Sequence, residues 1–232
     1  MTAAAKGDMV RAMFTRIAGR YDLMNSLMTA GRHHAWRAVA ARETVAAPPG
    51  PILDLATGTA DLALSVRALD PGRMVVGADF AEAMLHAAAK KPAVRAARIP
   101  LLAADALSLP FGDEVFAAVT SAFLLRNLED LARGLAEMRR VTRKGGRVVT
   151  LEITRPATPV WSQIFGVYFH RVVPKVGAVV AGDRAAYTYL PTSVDGFVSP
   201  NELSSLFRKL GYRDARFRRL GLGTIAIHTA TV

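Results

Sequence analysis

The chain has 232 residues, 51% of them hydrophobic, and no cysteine. That length suits one large domain or a domain with appendages and buries a substantial core, while the missing thiols exclude disulfides, thiolate metal sites and a cysteine nucleophile and are compatible with the reducing cytoplasm. Lys and Arg outnumber Asp and Glu by 30 to 19, and the resulting formal net charge of +11 attracts polyanions, either nucleic acid or an anionic membrane surface.

Val10, Met13, Phe14, Ile17, Ala18 and Tyr21 recur at helical spacing with Arg11, Arg16 and Arg20 between them, which predicts an amphipathic helix. The pattern runs on into Tyr21 to Trp36, where Tyr21, Asn25, His33, His34 and Trp36 are candidates to line a pocket and the histidines are candidate acid/base groups. A helical cap with solvated histidines fits the same residues. Adjacent histidines on a helix do not face one metal together, so no metal site is expected. No apolar run reads as long enough to span a bilayer and no signal-peptide core is visible, so any membrane contact is expected to be peripheral.

Pro48, Pro49 and Gly50 end the first helical region, and Pro51 to Asp61 (P-I-L-D-L-A-T-G-T-A-D) follows. Its apolar run ends in Asp54 and Leu55, turns at Gly58 and enters a helical pattern with Leu62, Leu64 and Val66, as a buried parallel strand does before its crossover helix. Ligands of open α/β sheets bind at the carboxyl ends of such strands. A dinucleotide fingerprint needs three glycines and this turn has one, while Asp54 and Asp61 would repel phosphate and attract a sulfonium or amino group. S-Adenosylmethionine therefore fits better than NAD.

Met74 to Asp79 reads as a second strand ending in an acid, 21 residues beyond Gly58, near the spacing at which such folds place a carboxylate on ribose hydroxyls. Ala81 to Lys90 predicts a helix closed by Pro92, and Ile99 to Ala103 a third strand followed by Asp105 and Ala106, an acid and a backbone amide suited to reading a base. Val115 to Phe123 is a fourth strand leading to Leu-Leu-Arg-Asn at Leu124 to Asn127. A helix to Val141, a Gly145-Gly146 turn and a fifth strand from Arg147 to Ile153 complete an alternation that indicates a parallel, doubly wound sheet. Trp161, Ile164, Phe165, Tyr168 and Val172 form an aromatic helical stripe, either core or an apolar lid over a greasy substrate, and Val173 to Ser193 shows no clean period. Ser199 and Glu202 make a capping box with Pro200 at the first helical position. The last two strands, Arg213 to Leu220 and Thr224 to Ala230, are separated only by Gly221 to Gly223 and must pair antiparallel.

These residues resemble the ubiquinone/menaquinone biosynthesis C-methyltransferase family over nearly the whole chain. The matching segments are Tyr21 to Trp36, Leu53 to Asp61, Leu124 to Asn127 with Arg140 to Thr154, and Gly182 to Ser193 with Gly223 to His228. The chain departs from the family at Ala60, where a second glycine is usual, at Ala122, Phe123 and Leu124 in place of Ser-Phe-Gly, and at Arg143-Lys144 in place of Lys-Pro. The resemblance implies a class I methyltransferase: a seven-stranded, mostly parallel sheet with its last strand antiparallel, helices on both faces and a helical cap over residues 1–46. The methyltransferase domain would cover 47–232, with 158–193 as the lid. It also implies S-adenosylmethionine held by Asp54, Gly58, Thr59, Asp79, Asp105 and Ala106, with Ala122 standing where a serine hydroxyl would approach the cofactor. The implied substrate is a demethylated polyprenyl quinol, of either the menaquinone or the ubiquinone pathway, methylated at a ring carbon.

A quinol carbon attacks only when its hydroxyl gives up its proton, so an oxyanion must be held and the ring proton accepted. Arg126, with Asn127 beside it, suits the first task, since a guanidinium stays protonated. His33, His34 and Asp183 are candidates for the second, and Tyr187 could orient the ring. The basic charge suggests contact with an anionic membrane from the cytoplasmic side, and a homodimer is left open. A nucleic-acid methyltransferase is disfavoured, because cytosine-carbon chemistry wants a cysteine and amino-group chemistry wants Asn-Pro-Pro-aromatic where Leu-Leu-Arg-Asn stands. A cofactor-binding scaffold without catalysis is the reading from a different class.

Overall fold

The structure is a computed structural model that describes residues 3–232, with side chains from Lys6 onward. The single predicted first helix is three. α1 (Ala3–Ile17) ends in a 3-10 turn at Ala18–Arg20, α2 (Tyr21–Thr29) follows, and left-handed Ala30 and Gly31 break the path before α3 (Arg32–Val45). The α3 helix is fixed to the sheet itself, its Ala40 and Ala41 burying fully against Ile52, Ala118 and Val149. Small side chains there let the helix approach closely.

Next come β1 (Ile52–Leu55), α4 (Asp61–Leu69), β2 (Val75–Asp79), α5 (Glu82–Lys90), a short α6 (Pro92–Ala96) and β3 (Leu101–Ala103). Pro92 therefore opens a new helix at its first position, where the missing N–H costs nothing, as well as ending the one before. After β4 (Phe116–Ala122) and α7 (Leu131–Val141), β5 (Thr142–Ile153) begins five residues earlier than its apolar run suggests. It pairs at Thr142 and again from Arg147, and the glycine pair lies in the register shift between them.

The chain then stays helical from Pro159 to Ala181, through α8 (Pro159–Val167), a π turn at Tyr168–Val172, α9 (Val173–Val176) and a second π turn at Gly177–Ala181, and continues in α10 (Arg184–Asp195). Two π turns slip the side-chain phase, which is why Val173 to Ser193 has no readable period. By length and composition Pro159–Ala181 could cross a bilayer, and 22% of its most apolar stretch is buried, contrary to the expectation that no run was long enough. The apolar residues are interrupted by Gln163, His170, Arg171 and Lys175, which hides the stretch from inspection of the sequence.

α11 (Pro200–Lys209) has the expected reciprocal capping box, and β6 (Arg213–Leu220) and β7 (Ile225–Thr231) form the closing hairpin. The sheet order is β3-β2-β1-β4-β5-β7-β6. All pairings are parallel except those of β7, which runs antiparallel to both neighbours. One core lies under α7 and α11 and a second under α3 and α4. A third, with Met13, Met24, Phe169, Val173 and Tyr187, joins α1, α2, α9 and α10 to Ala81, which caps α5, and to Met84 within it.

Candidate active site

The order of the sheet reverses between β1 and β4, and open sheets form ligand crevices at such a point. The loop after β1 is braced from below. Asp54, 1% exposed, accepts from Thr57 Oγ1 at 2.6 Å and from the Ala63 amide at 3.0 Å. Burial pushes its carboxyl up to about 7. Asp54 thus supports the loop without lining the crevice, and Thr59 is likewise turned away, donating to Asp22 of α2 at 2.6 Å. Both corrections have one cause: a carboxylate or hydroxyl beside free loop amides and a neighbouring helix is satisfied within the protein before it reaches a ligand. Gly58, at φ 56°, does face the crevice, and its amide donates to Asp79 Oδ2 at 2.7 Å.

The crevice is lined by Gly58, Asp79, Phe80, Asp105, Ala106 and Ala122, with Phe14 and Tyr21 from the preceding helices. Among the described residues, three acids, Asp79, Asp105 and Glu129, reach it and no base does. Burial raises the Asp79 carboxyl, opposed by the amides of Ala81 and Gly58. Such a lining suits a cationic nucleoside and disfavours pyrophosphate, so the residues present fit S-adenosylmethionine.

Phe123 forms a wall of this crevice and of a larger cavity behind it. It holds φ 65°, unusual for a bulky side chain and held in place by its surroundings. Its amide donates to the Leu151 carbonyl at 2.7 Å, and its carbonyl accepts from Arg126 Nη1 at 2.8 Å and Asn127 Nδ2 at 2.9 Å. Arg126 is paired with Glu152 at 2.9 Å, both nearly fully buried, and Glu152 also takes the Leu125 amide at 2.5 Å. Burial raises Glu152 and the guanidinium opposes that rise.

The larger cavity, about 590 Å³, is walled by Phe14, Ile17, Trp36, Phe165, Phe169 and Leu190 among others. Four buried polar atoms on its wall residues have no protein partner: Asn25 Nδ2, Arg126 Nε, Trp161 Nε1 and Tyr187 Oη. Burial raises the Tyr187 hydroxyl, keeping it a neutral phenol. Tyr189 donates to Asn127 Oδ1 at 3.3 Å, and Asn127 lines both cavities.

The proposed proton acceptors fare differently. His33 reaches the cavity wall but is 1% exposed, its Nδ1 meeting Arg37 and its Nε2 meeting Ser26 Oγ at 3.1 Å, and burial with the Arg37 charge drops it to about 4. It is a fixed neutral imidazole with both nitrogens engaged. Asp183 caps α10 through the Ala186 amide and pairs with Arg16 at 2.7 Å, outside both cavities. His34 lies outside both cavities, though its ring is 3.9 Å from that of His33, closer than adjacent helical positions led us to expect. His33, His34 and Asp61 bring ligand atoms within 4.8 Å of one another, yet Arg37 stands among them, 3.2 Å from Asp61, and supplies the positive charge a metal would bring. Sequence reasoning missed Arg37, Lys91 and Asp22, a chain of ion pairs linking α2, α3 and α4, because no spacing along the chain signals it.

A doubly wound sheet of this order, with an acid-lined crevice at its reversal point and only β7 antiparallel, defines the class I S-adenosylmethionine-dependent methyltransferase fold. A methyltransferase of that class from Aquifex aeolicus superposes with a TM-score of 0.63 over 91% of this chain and 97% of its own, at 14% identity, a likeness of fold alone. The ubiE/COQ5 methyltransferase family matches residues 2–232, and the chain belongs to it. Demethylmenaquinone methyltransferase of Deinococcus radiodurans is 44% identical across 94% of this chain and 90% of its own. The ubiquinone/menaquinone biosynthesis C-methyltransferase UbiE of Desulfotalea psychrophila is 42% identical across 97% and 90%.

Proposed function

We propose that this protein methylates a ring carbon of a demethylated polyprenyl quinol, demethylmenaquinol above all, with S-adenosylmethionine as donor. The observation that carries this reading is the apolar cavity beside the acid-lined crevice, with the otherwise unpartnered Asn25, Arg126, Trp161 and Tyr187 atoms on its wall residues. A quinol has two hydroxyls to satisfy such groups and an isoprenoid tail to fill the remainder. The ubiquinone-pathway substrate 2-polyprenyl-6-methoxy-1,4-benzoquinol offers the same chemistry, and the D. psychrophila relative carries both pathways in its name.

Bound in the crevice, S-adenosylmethionine supplies a methyl group on a positively charged sulfur. In this reading Asp79 would hold the ribose hydroxyls, and Asp105 with the Ala106 amide the base, all of them lining the crevice. The Arg126 guanidinium, its plane fixed by Glu152, holds the quinol oxyanion, while the hydroxyl proton and then the ring proton displaced by the methyl group pass to water, since His33 and Asp183 are already engaged. Trp161 and Tyr187 orient the ring. Phe123 and the aromatic walls exclude water, and an apolar cavity favours the meeting of opposite charges. In this reading residues 1–46 act as a cap rooted through α3, residues 47–232 form the catalytic domain, and 158–193 serve as the lid. The enzyme works in the cytoplasm, peripheral to the membrane that holds its substrate.

Incubation with labelled S-adenosylmethionine and short-chain demethylmenaquinol, beside the methoxybenzoquinol, tests the proposal. Label should enter the first. Cofactor binding with no transfer to either quinol would leave a scaffold in place of an enzyme.

A further inference from the structure

The helical segment Pro159–Ala181 has two unlike faces. Trp161, Phe165, Phe169 and Val173 turn inward and line the larger cavity. Val160, Ile164, Val167, Val172 and Val179 turn out, exposed by 69%, 53%, 56%, 43% and 84%. On a surface helix of an ordinary soluble protein that outer stripe would be polar. The apolar surface extends beyond the segment at the cavity mouth. Tyr168 bonds the Met28 carbonyl at 2.8 Å beside half-exposed Leu27, and Leu222, 71% exposed at φ 58°, tips the β6 to β7 turn whose Gly223 lies against Pro156 and Ala157. Leu27, Ile164, Tyr168 and Leu222 all line the cavity while facing outward.

Charge accompanies this surface. Arg171 and Lys175 are exposed on the same segment, which carries no carboxylate of its own, while its exposed His170 pairs with Asp195 of α10 at 2.9 Å, so the basic character of the outer face rests on Arg171 and Lys175. Long basic side chains beside an apolar helical stripe match the boundary between acyl chains and anionic headgroups, where the stems lie in the apolar layer and the charges reach phosphate. Because the inner face is committed to the cavity, the segment lies along a bilayer and does not cross it.

We propose that the outer face of Pro159–Ala181, with Leu27 and Leu222, inserts into the surface of an anionic phospholipid bilayer, so that the cavity mouth opens into the acyl layer. This rests on the reading of the cavity as a polyprenyl-quinol site: a tail that insoluble enters without passing through water, while its far end stays in the membrane.

The test uses the full chain and its Val160→Glu/Val167→Glu variant; both positions are exposed and neither lines a cavity, so the thermal midpoint should not change. Flotation is followed with vesicles of phosphatidylcholine containing about one-third phosphatidylglycerol, at low salt and at about 0.5 M salt, where surface charge attraction reaches only roughly 4 Å. The parent protein should stay bound at high salt and the variant should lose at least roughly tenfold in partition. Methyl transfer to a water-soluble, tailless demethylated quinol should be equal in the two. Equal flotation of parent and variant would overturn the proposal. So would a parent dimer that ignores vesicles and that the variant converts to monomer, since the face would then bind a second copy. Salt-resistant flotation lost in the variant, with no methyl transfer by either protein, would support the docking and sink the quinol reading.

Discussion

Phe123 stands with Phe14, Tyr21 and Asn127 where the two cavities meet, and its left-handed backbone is a cost that Arg126 and Asn127 help to hold by capping its carbonyl. Arg126 therefore combines two tasks, and simple removal confounds them. Arg126→Ala leaves Glu152 buried without its cation, which should cost about 3–5 kcal/mol of stability. Arg126→Ala/Glu152→Gln should recover most of that stability, keep cofactor affinity by calorimetry, and still lose roughly 100-fold or more in kcat. Recovery of turnover in the double variant would make Arg126 purely structural. Ala60 is a different case of strain: it sits at φ 67° where the family usually has glycine, and its methyl is fully buried. Glycine would relieve about 1–2 kcal/mol of left-handed strain but would forfeit a buried methyl worth about 0.8 and add unfolded-chain entropy worth about 0.4–1. These nearly cancel, so Ala60→Gly should move urea-unfolding stability by less than about 1 kcal/mol.

At the scale of elements, the helices over the carboxyl edge are held by close approach as well as by apolar burial. Gly177, in the second π turn, leaves no room for a methyl beside the Tyr187 ring, so the fit of that turn on α10 depends on a missing Cβ. Gly177→Ala should cost about 1–3 kcal/mol by overpacking and displace Tyr187 from the cavity wall. The expected kinetic result is a raised KM for the quinol with the KM for S-adenosylmethionine unchanged. Equal rises in both would mean that the helices above the sheet move as one unit. The ion-pair chain from Asp22 through Lys91 and Asp61 to Arg37, with the Thr59 to Asp22 bond across 37 residues, ties α2 to the far side of the same loop that Asp54 braces.

For the molecule as a whole, buried ionisable groups set opposing pH dependences. Folding raises Asp54 from 3.8 to about 7, so between those values the folded chain binds a proton that the unfolded chain releases, and this group makes stability fall as pH rises. The span corresponds to on the order of 4 kcal/mol. His33 and His228 drop from 6.5 to about 4, so the unfolded chain binds their protons first and stability falls as pH falls through that range. Asp54→Asn removes the first effect and leaves the second. Urea titrations of the ligand-free protein at pH 7, 5.5 and 4 should therefore show a steeper acid loss in the variant than in the parent; parallel curves would mean that Asp54 is ionised throughout.

Much of this was legible along the chain because it is periodic or local. Buried strands are continuous apolar runs, β1 to β4 each lead to a turn and a crossover, and the three-residue link between β6 and β7 admits only an antiparallel pair. Those patterns, with the family motifs, carried the class of fold, and Gly58, Asp79, Asp105 and Ala106, singled out along the chain, line the crevice. Burial and partnership were decided elsewhere. Asp54 and Asp79 look alike in sequence, each ending a strand before a turn, yet one is spent on loop amides beneath the crevice and the other faces it. His33 reads as a titrating base until Arg37 and Ser26 close on it, and Asp183 until Arg16 and the α10 amides do. Whether a polar group is free to act depends on which distant donors and acceptors reach it, and only the tertiary packing brings those together.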